Sequence, residues 1–154
     1  MLKKLFANQP VDIEKIMGQL RKTASGLGLA FGEREKTYNS RLAQELGLWA
    51  DAINKGDEFH EAVFKAYFAD GKNIAETSIL LDLAASAGLL VEEASTVLSE
   101  RTYKTAVDED WALSKTKTIT VVPTLVLNQD KLIGAQPYKA MVKLLESNRV
   151  GQRK

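Results

Sequence analysis

Apolar residues recur every three or four positions along most of the first 115 residues, which is the spacing of amphipathic helices. The first predicted helix runs from Asp12 to about Ser25, where a pair of glycines ends it. The second follows Asn39 or Ser40, since either side chain can cap a helix. The stripes that define these two helices are Ile13, Ile16, Met17 and Leu20, and Leu42, Leu46, Trp49 and Ile53.

Four more helices are predicted by the same periodicity. Asp57 can cap the third helix, and Gly71 can end it in the left-handed conformation. A fourth helix covers about residues 75–88, a short fifth covers about residues 92–98, and a longer sixth follows. The third and sixth helices have the clearest stripes, which are Phe59, Val63, Ala66 and Tyr67, and Tyr103, Val107, Trp111 and Ser114.

The pattern changes near residue 119, where β-branched and aliphatic residues become consecutive. Thr124–Leu127 is predicted as a strand, and residues 131–133 as its hairpin partner across a turn at residues 128–130. Pro137 suits the first turn of a final helix. The apolar positions of that helix are Tyr138, Met141, Leu144 and Leu145.

These elements predict a mostly helical α+β fold. Residues 1–116 are expected to form a helical subdomain, and residues 117–154 a second one with the hairpin and the last helix. A chain of 154 residues is long enough to bury a proper core.

Composition narrows the possible functions. Twenty-one basic and 20 acidic residues give a formal charge of +1, so no overall field favours nucleic acid, and no apolar run could span a membrane. The N-terminus lacks the apolar stretch of a signal peptide, so we expect a cytoplasmic protein. The sequence contains no cysteine, which excludes disulfides, thiolate metal sites and thiol catalysis within these residues. We expect no metal and no cofactor.

Pro123 opens the predicted strand, and a proline cannot donate a ladder hydrogen bond. It therefore belongs at the first position of the strand or on an edge. The bond from Val122 to Pro123 can be cis, because the preference of X-Pro bonds for trans is only about 0.5–1 kcal/mol. The alternative is a trans proline that binds no ligand.

Four separated motifs resemble the DsbA-like thioredoxin family. They are Tyr38-Asn39-Ser40, Ala66-Tyr67-Phe68 with Gly71 and Ile74, Val122-Pro123-Thr124, and Gly134-Ala135-Gln136-Pro137. The closest branch is the FrnE type, which is related to 2-hydroxychromene-2-carboxylate isomerases. The chain has Thr118 and Val121 where that branch has glycines. The family fold is a thioredoxin domain with a helical insertion.

The resemblance implies a truncated thioredoxin part. In the family, a β-α-β unit with Cys-x-x-Cys precedes the helical insertion, whereas about ten residues precede the first helix here. No catalytic residue can therefore be carried over. The resemblance implies that Val122, Pro123 and Thr124 contact an extended peptide substrate.

The strand after Pro123 is apolar on both faces, which is typical of a central strand. Without its usual neighbour it would expose an apolar edge that can pair with another chain. Two copies could pair these edges, residues 27–31 could fold back as a local strand, or a separate polypeptide could supply the missing half. We expect a homodimer.

Two functions follow from the resemblance. The chain is either part of a protein disulfide oxidoreductase, inactive alone and completed by a partner with the cysteines, or a non-catalytic module for peptide binding or homodimer assembly.

A metal site or a cofactor cavity has weak support in the sequence. His60 is the single histidine, and its acidic neighbours are typical of a first helical turn. Aromatic residues that could line a cavity are expected in the core instead: Trp49, Phe64, Tyr67, Phe68 and Trp111.

Overall fold

The computed structural model describes residues 12–33 and 36–151. Within these ranges the chain forms seven α-helices, one π-helical turn and one antiparallel sheet of two strands. The elements are α1 (Ile13–Gly26), α2 (Arg41–Ala52), α3 (Gly56–Phe64), the π turn (Lys65–Ala69), α4 (Thr77–Ser86), α5 (Val91–Glu100), α6 (Lys104–Thr116), β1 (Thr124–Leu127), β2 (Asp130–Ile133) and α7 (Tyr138–Ser147). The mostly helical α+β prediction is confirmed.

The chain divides into two compact units. The bundle unit is Met1–Val107 and the hairpin unit is Asp108–Lys154, so the division falls within α6, whereas the sequence places the border after residue 116. Residues 1–11, on which the expectation about a signal peptide rests, lie outside the described ranges. None of the described helices is long and apolar enough to cross a bilayer.

Local hydrogen bonds mark the starts of α1 and α2, whereas α3 begins one residue before its predicted cap. Asp12 caps α1 by accepting from the N–H of Lys15 at 3.1 Å. Asn39 accepts from the N–H of Arg41 at 2.9 Å at the start of α2. The prediction that Asp57 caps the third helix is wrong, because α3 already begins at Gly56 and Asp57 lies in its first turn.

The backbone of Gly56 lies against the end of α2. A Cβ atom on Gly56 would lie 1.7 Å from Oδ1 of Asp51, so the absence of a side chain lets α3 start this close to α2. This contact lies between two consecutive helices that a short loop connects.

Gly28 ends α1 in the left-handed conformation, with φ of 70°. Its N–H donates to the carbonyl of Ser25 at 3.1 Å, and the N–H of Leu29 donates to the carbonyl of Ala24 at 2.9 Å, which is the Schellman pattern of a helix end. Residues 27–31 therefore do not form the local strand that was one of three possible partners for the hairpin. Among the described residues, β1 pairs with β2 alone.

The bundle unit contains the hydrophobic core, which is built from α2, α3, the π turn, α4 and α5. Leu46, Phe59 and Leu80 are fully buried at its centre. The predicted stripe of the third helix is confirmed for Phe59, Val63 and Ala66. Full burial of a side chain of this size stabilises a fold by about 1.5–3 kcal/mol.

One carboxylate lies inside this core. Glu45 on α2 is fully buried, and both of its oxygens accept from Arg101, at 2.6 Å from Nε and 2.6 Å from Nη2. Nε of Arg41 donates to the same carboxylate at 2.7 Å. Arg101 lies just past the end of α5, so the ion pair joins residues that are 56 positions apart in the sequence.

These hydrogen bonds determine the titration of Glu45. The bond from Arg101 has the largest effect and lowers the pKa of Glu45 below 4.5, although burial opposes the shift. A carboxylate whose pKa is lower in the folded state stabilises the fold at any pH above its unfolded pKa. That contribution is lost as the pH falls through the folded pKa.

We predict that Glu45→Gln lowers the free energy of unfolding by about 3 kcal/mol near neutral pH, because two arginines lose their buried counter-charge. The difference from the parent protein should become smaller at an acidic pH below 4.5, because the stabilisation by the carboxylate is lost as the pH falls through its lowered folded pKa. Urea unfolding followed by circular dichroism at both pH values measures the effect. Glu92→Gln, an exposed change in the first turn of α5, is the control and should change stability by less than about 0.5 kcal/mol. An equal loss for Glu45→Gln at both pH values would contradict the assignment.

Candidate functional site

The segment that leads into β1 has a specific backbone arrangement at Pro123. The peptide bond from Val122 to Pro123 is cis. The carbonyl of Pro123 accepts from the N–H of Gly134 at 2.8 Å, which extends the hairpin by one pair beyond the two strands. The hydroxyl of Thr124 donates to the carbonyl of Val121 at 2.6 Å and holds the preceding turn.

The register of the hairpin determines which backbone groups of β1 remain accessible. Leu125 lies opposite Leu132, and Leu127 lies opposite Asp130 next to the turn. Hydrogen-bonded pairs alternate along an antiparallel ladder, and Pro123 bonds with Gly134, so Leu125 and Leu127 direct their N–H and C=O groups towards β2. The backbone groups of Thr124 and Val126 consequently point away from it. We call this side the outer edge of β1.

No backbone hydrogen bond reaches the outer edge from any other described segment. The side chains beside it are apolar and accessible. Val122 is 86% exposed, and Leu125 and Val126 are 48% and 37% exposed. An edge strand with free backbone groups and apolar side chains is a template for a further strand.

Across the whole described part of the hairpin unit, residues 108–151, no side chain is fully buried. The helix α7 also contains no buried residue. β1 thus has the composition of a central strand in exposed surroundings, since Leu125 and Val126, which lie on opposite faces, are both exposed.

Polar side chains hold the hairpin to the helices of its own unit. Nδ2 of Asn148, which follows α7, donates to Oδ2 of Asp130 at 2.8 Å, and its Oδ1 accepts from Nδ2 of Asn128 at 2.8 Å. Nζ of Lys131 donates to the hydroxyl of Thr118 at 2.6 Å and to the carbonyl of Lys117. No local sequence pattern reveals this role of Asn148, because its partners lie about 20 residues away.

The structure places Val122, Pro123 and Thr124 together at the start of β1, and their contact with a substrate stays a prediction. His60 lies on α3, with Nε2 3.4 Å from Oδ2 of Asp51. In residues 12–33 and 36–151, no three acidic or histidine side chains form a cluster that could hold a metal ion.

The aromatic residues divide between core and surface. Trp49 is buried, as expected. Phe64, Phe68 and Trp111 are 60%, 39% and 46% exposed, so the expectation that they belong to the core is wrong. Helical spacing explains the exposure of the two phenylalanines. Phe59, Val63 and Ala66 lie on the side of the helix that faces the core, and Phe64 and Phe68 lie on the opposite side.

This arrangement can bind a polypeptide through backbone hydrogen bonds along β1 and apolar contacts on either side of it. It cannot exchange thiols by itself, because the 154 residues contain no cysteine. Thiol–disulfide exchange at this site would therefore require sulfur atoms from outside these residues.

Comparison with known proteins identifies related chains. The sequence pattern of the DsbA-like thioredoxin domain matches residues 3–146. The uncharacterized protein YwbO of Bacillus subtilis (strain 168) is 34% identical over 97 residues, which cover 61% of this chain and 48% of that protein. The chain thus spans about half the length of that relative. The crystal structure of a probable DsbA oxidoreductase from Streptomyces coelicolor superimposes with a TM-score of 0.84 at 24% identity, over 99% of this chain and 68% of that one.

The hydrogen bonds of Asn148 provide a test of how the hairpin is held. We predict that Asn148→Ala lowers the protection of the β2 amides against hydrogen exchange by about fivefold to tenfold, since loss of such bonds costs about 1 kcal/mol. Gln129→Ala in the exposed turn is the matched control and should leave the protection factors unchanged. Amide exchange followed by NMR measures both variants. Equal protection in Asn148→Ala and the parent protein would show that Asn148 does not hold the hairpin.

Proposed function

Because this chain belongs to the DsbA-like thioredoxin domain family, we propose that it is the polypeptide-binding part of a disulfide oxidoreductase of that kind. In this proposal the outer edge of β1 pairs with an extended segment of a protein substrate. The chain alone transfers no electrons, and a Cys-x-x-Cys pair comes from outside these 154 residues.

The observation that supports this function best is the outer edge itself. The N–H and C=O groups of Thr124 and Val126 point away from β2, and an added strand can bond to each of them. Main-chain bonds recognise a peptide independently of its sequence, which suits an enzyme that acts on many unfolded proteins. The exposed Val122 and Leu125 would add apolar contacts with the side chains of the substrate.

In this proposal, disulfide exchange itself takes place on cysteines from outside these residues. Disulfide exchange needs a thiolate that attacks a sulfur atom of the substrate. A substrate strand held along β1 would present its own disulfide to the Cys-x-x-Cys pair supplied from elsewhere. Val122, Pro123 and Thr124 are then binding residues and not catalytic ones.

A second candidate function is assembly of a homodimer through the same edge. Apolar side chains on both faces of β1 favour it, because two copies related by a twofold axis would form a four-stranded sheet and cover those side chains. In that case the chain is a non-catalytic assembly module, and the edge is occupied by its own copy.

We predict that the purified chain shows no disulfide reductase activity, and that it nevertheless binds an unfolded polypeptide whose cysteines are chemically blocked. Binding should raise the protection of the Thr124 and Val126 amides against exchange at least about tenfold, because these two amides become hydrogen-bonded. The amides of Leu125 and Leu127 already bond to β2 and serve as internal controls. Unchanged protection of Thr124 and Val126 at saturation, or reductase turnover by the chain alone, would contradict the proposal.

The variant Val126→Pro separates the two candidates. Proline removes the outward N–H without removing a bond to β2, so the hairpin should survive while the edge no longer pairs. Val126→Thr keeps the N–H and the β-branched shape and is the matched control. If the homodimer forms, light scattering at micromolar concentration should give the mass of two chains for the parent protein and for Val126→Thr, and of one chain for Val126→Pro. A mass of one chain for all three would exclude edge-to-edge assembly and leave polypeptide binding as the function of the edge.

A further inference from the structure

A second accessible surface lies in the bundle unit, where a groove of about 650 Å³ runs beside α3 and the π turn. We call it the aromatic groove. Its apolar lining consists of Ala24, Leu29, Ala30, Phe31, Phe64, Phe68 and Ala69. The polar side chains that line it are Asp57, His60, Glu61 and Lys65.

The aromatic rings form a continuous row along the groove. The ring centroids of His60 and Phe64 are 6.5 Å apart, and those of Phe64 and Phe68 are 6.2 Å apart. Phe31 stacks on Phe68 at 6.2 Å from the opposite wall. Phe64 is 60% exposed, so this row is a surface that can still be covered.

The length of the groove suits a short extended segment. Its lining extends along the helix from Asp57 to Ala69, which corresponds to about 18 Å at 1.5 Å per residue. An extended chain of about five residues has a suitable length.

The wall opposite the helix offers backbone hydrogen bonds. Residues 29–31 have no regular secondary structure, and within the described ranges the N–H groups of Ala30 and Phe31 donate to no other backbone group. The carbonyls of residues 29–31 likewise accept no backbone hydrogen bond from the described residues. An extended peptide in the groove could pair with these groups as an added strand does.

The open segment is fixed in position by the residue that follows it. The N–H of Gly32 donates to the carbonyl of Phe68 at 2.9 Å, and a Cβ atom on Gly32 would lie 2.1 Å from the carbonyl oxygen of Ala69. This close approach needs glycine and brings the open backbone of residues 29–31 beside the π turn. The wall is therefore held in place before any ligand binds.

The charges of the groove favour a basic occupant. Asp57 and Glu61 lie one turn apart near the start of α3, and both are exposed, whereas Lys65 is the one lysine or arginine in the described lining. Aromatic faces next to carboxylates attract cations, because the ring quadrupole adds to the negative charge. An occupant with basic and apolar side chains matches both features.

We propose that the aromatic groove binds an extended peptide segment in which apolar and basic residues alternate. The site lies wholly in the bundle unit and does not depend on the outer edge of β1. It gives the protein a second polypeptide-binding surface, with a sequence preference that main-chain pairing alone does not provide.

The test uses a blocked pentapeptide of alternating leucine and lysine, with isothermal titration calorimetry on the full chain. We expect this peptide to bind at least about tenfold more tightly than the same peptide with glutamate in place of lysine. The double variant Asp57→Asn/Glu61→Gln should bring the two affinities within about twofold. The matched control Glu92→Gln/Glu93→Gln, in the exposed first turn of α5, should keep the tenfold preference.

Two further measurements test the mode of binding. Phe64→Ala should weaken binding of the lysine peptide at least about fivefold, and the exposure of Phe64 means that the variant should still fold, which circular dichroism checks. A lysine peptide with methylated backbone nitrogens should also bind at least about fivefold more weakly.

Equal affinity for the lysine and glutamate peptides, or unchanged binding by Phe64→Ala, would overturn the proposal. Undiminished binding of the methylated peptide would overturn the strand-like mode. Variants at Val126 should have no effect, which distinguishes failure at this site from failure at β1.

Discussion

The proposed function depends on how the backbone groups of β1 form hydrogen bonds. A strand in a two-stranded sheet can satisfy only half of its backbone groups within that sheet, and the other half must bond to water or to another chain. In β1 the groups that face outward belong to Thr124 and Val126, and apolar side chains flank them. Each bond to a partner strand contributes about 0.5–1.5 kcal/mol, and burial of those side chains adds to it. Strand addition is therefore the interaction that we propose for this hairpin.

Local signals in the sequence account for most of the helices and for β1. Asp12 caps the first helix through a bond to the third residue after it, and Thr124–Leu127 follows a proline that cannot lie within a central ladder. The start of α3 could not be predicted in this way. The helix begins at Gly56, whose backbone lies against Asp51, and no pattern within the helix reveals this contact.

In the candidate sites, too, residues that are adjacent in the sequence can be predicted from it, whereas contacts between distant residues cannot. Val122, Pro123 and Thr124 are adjacent, so a motif identifies them. The carboxylate of Glu45 is held by Arg101 from 56 residues away, and the aromatic groove needs Phe31 and Phe68 on opposite walls. Such pairs depend on how helices pack, and a stripe of apolar residues does not specify which side chains remain exposed. Phe64 illustrates this, since its spacing is helical while its ring lies on the surface.

The absence of fully buried side chains from residues 108–151 has a consequence for the motions of the hairpin unit. Segments with few buried contacts open sub-globally at a lower free energy than a packed core does. The hairpin unit should therefore unfold and refold many times during one opening of the bundle. A strand that pairs with β1 would slow these openings, so that occupancy of the edge and local rigidity rise together.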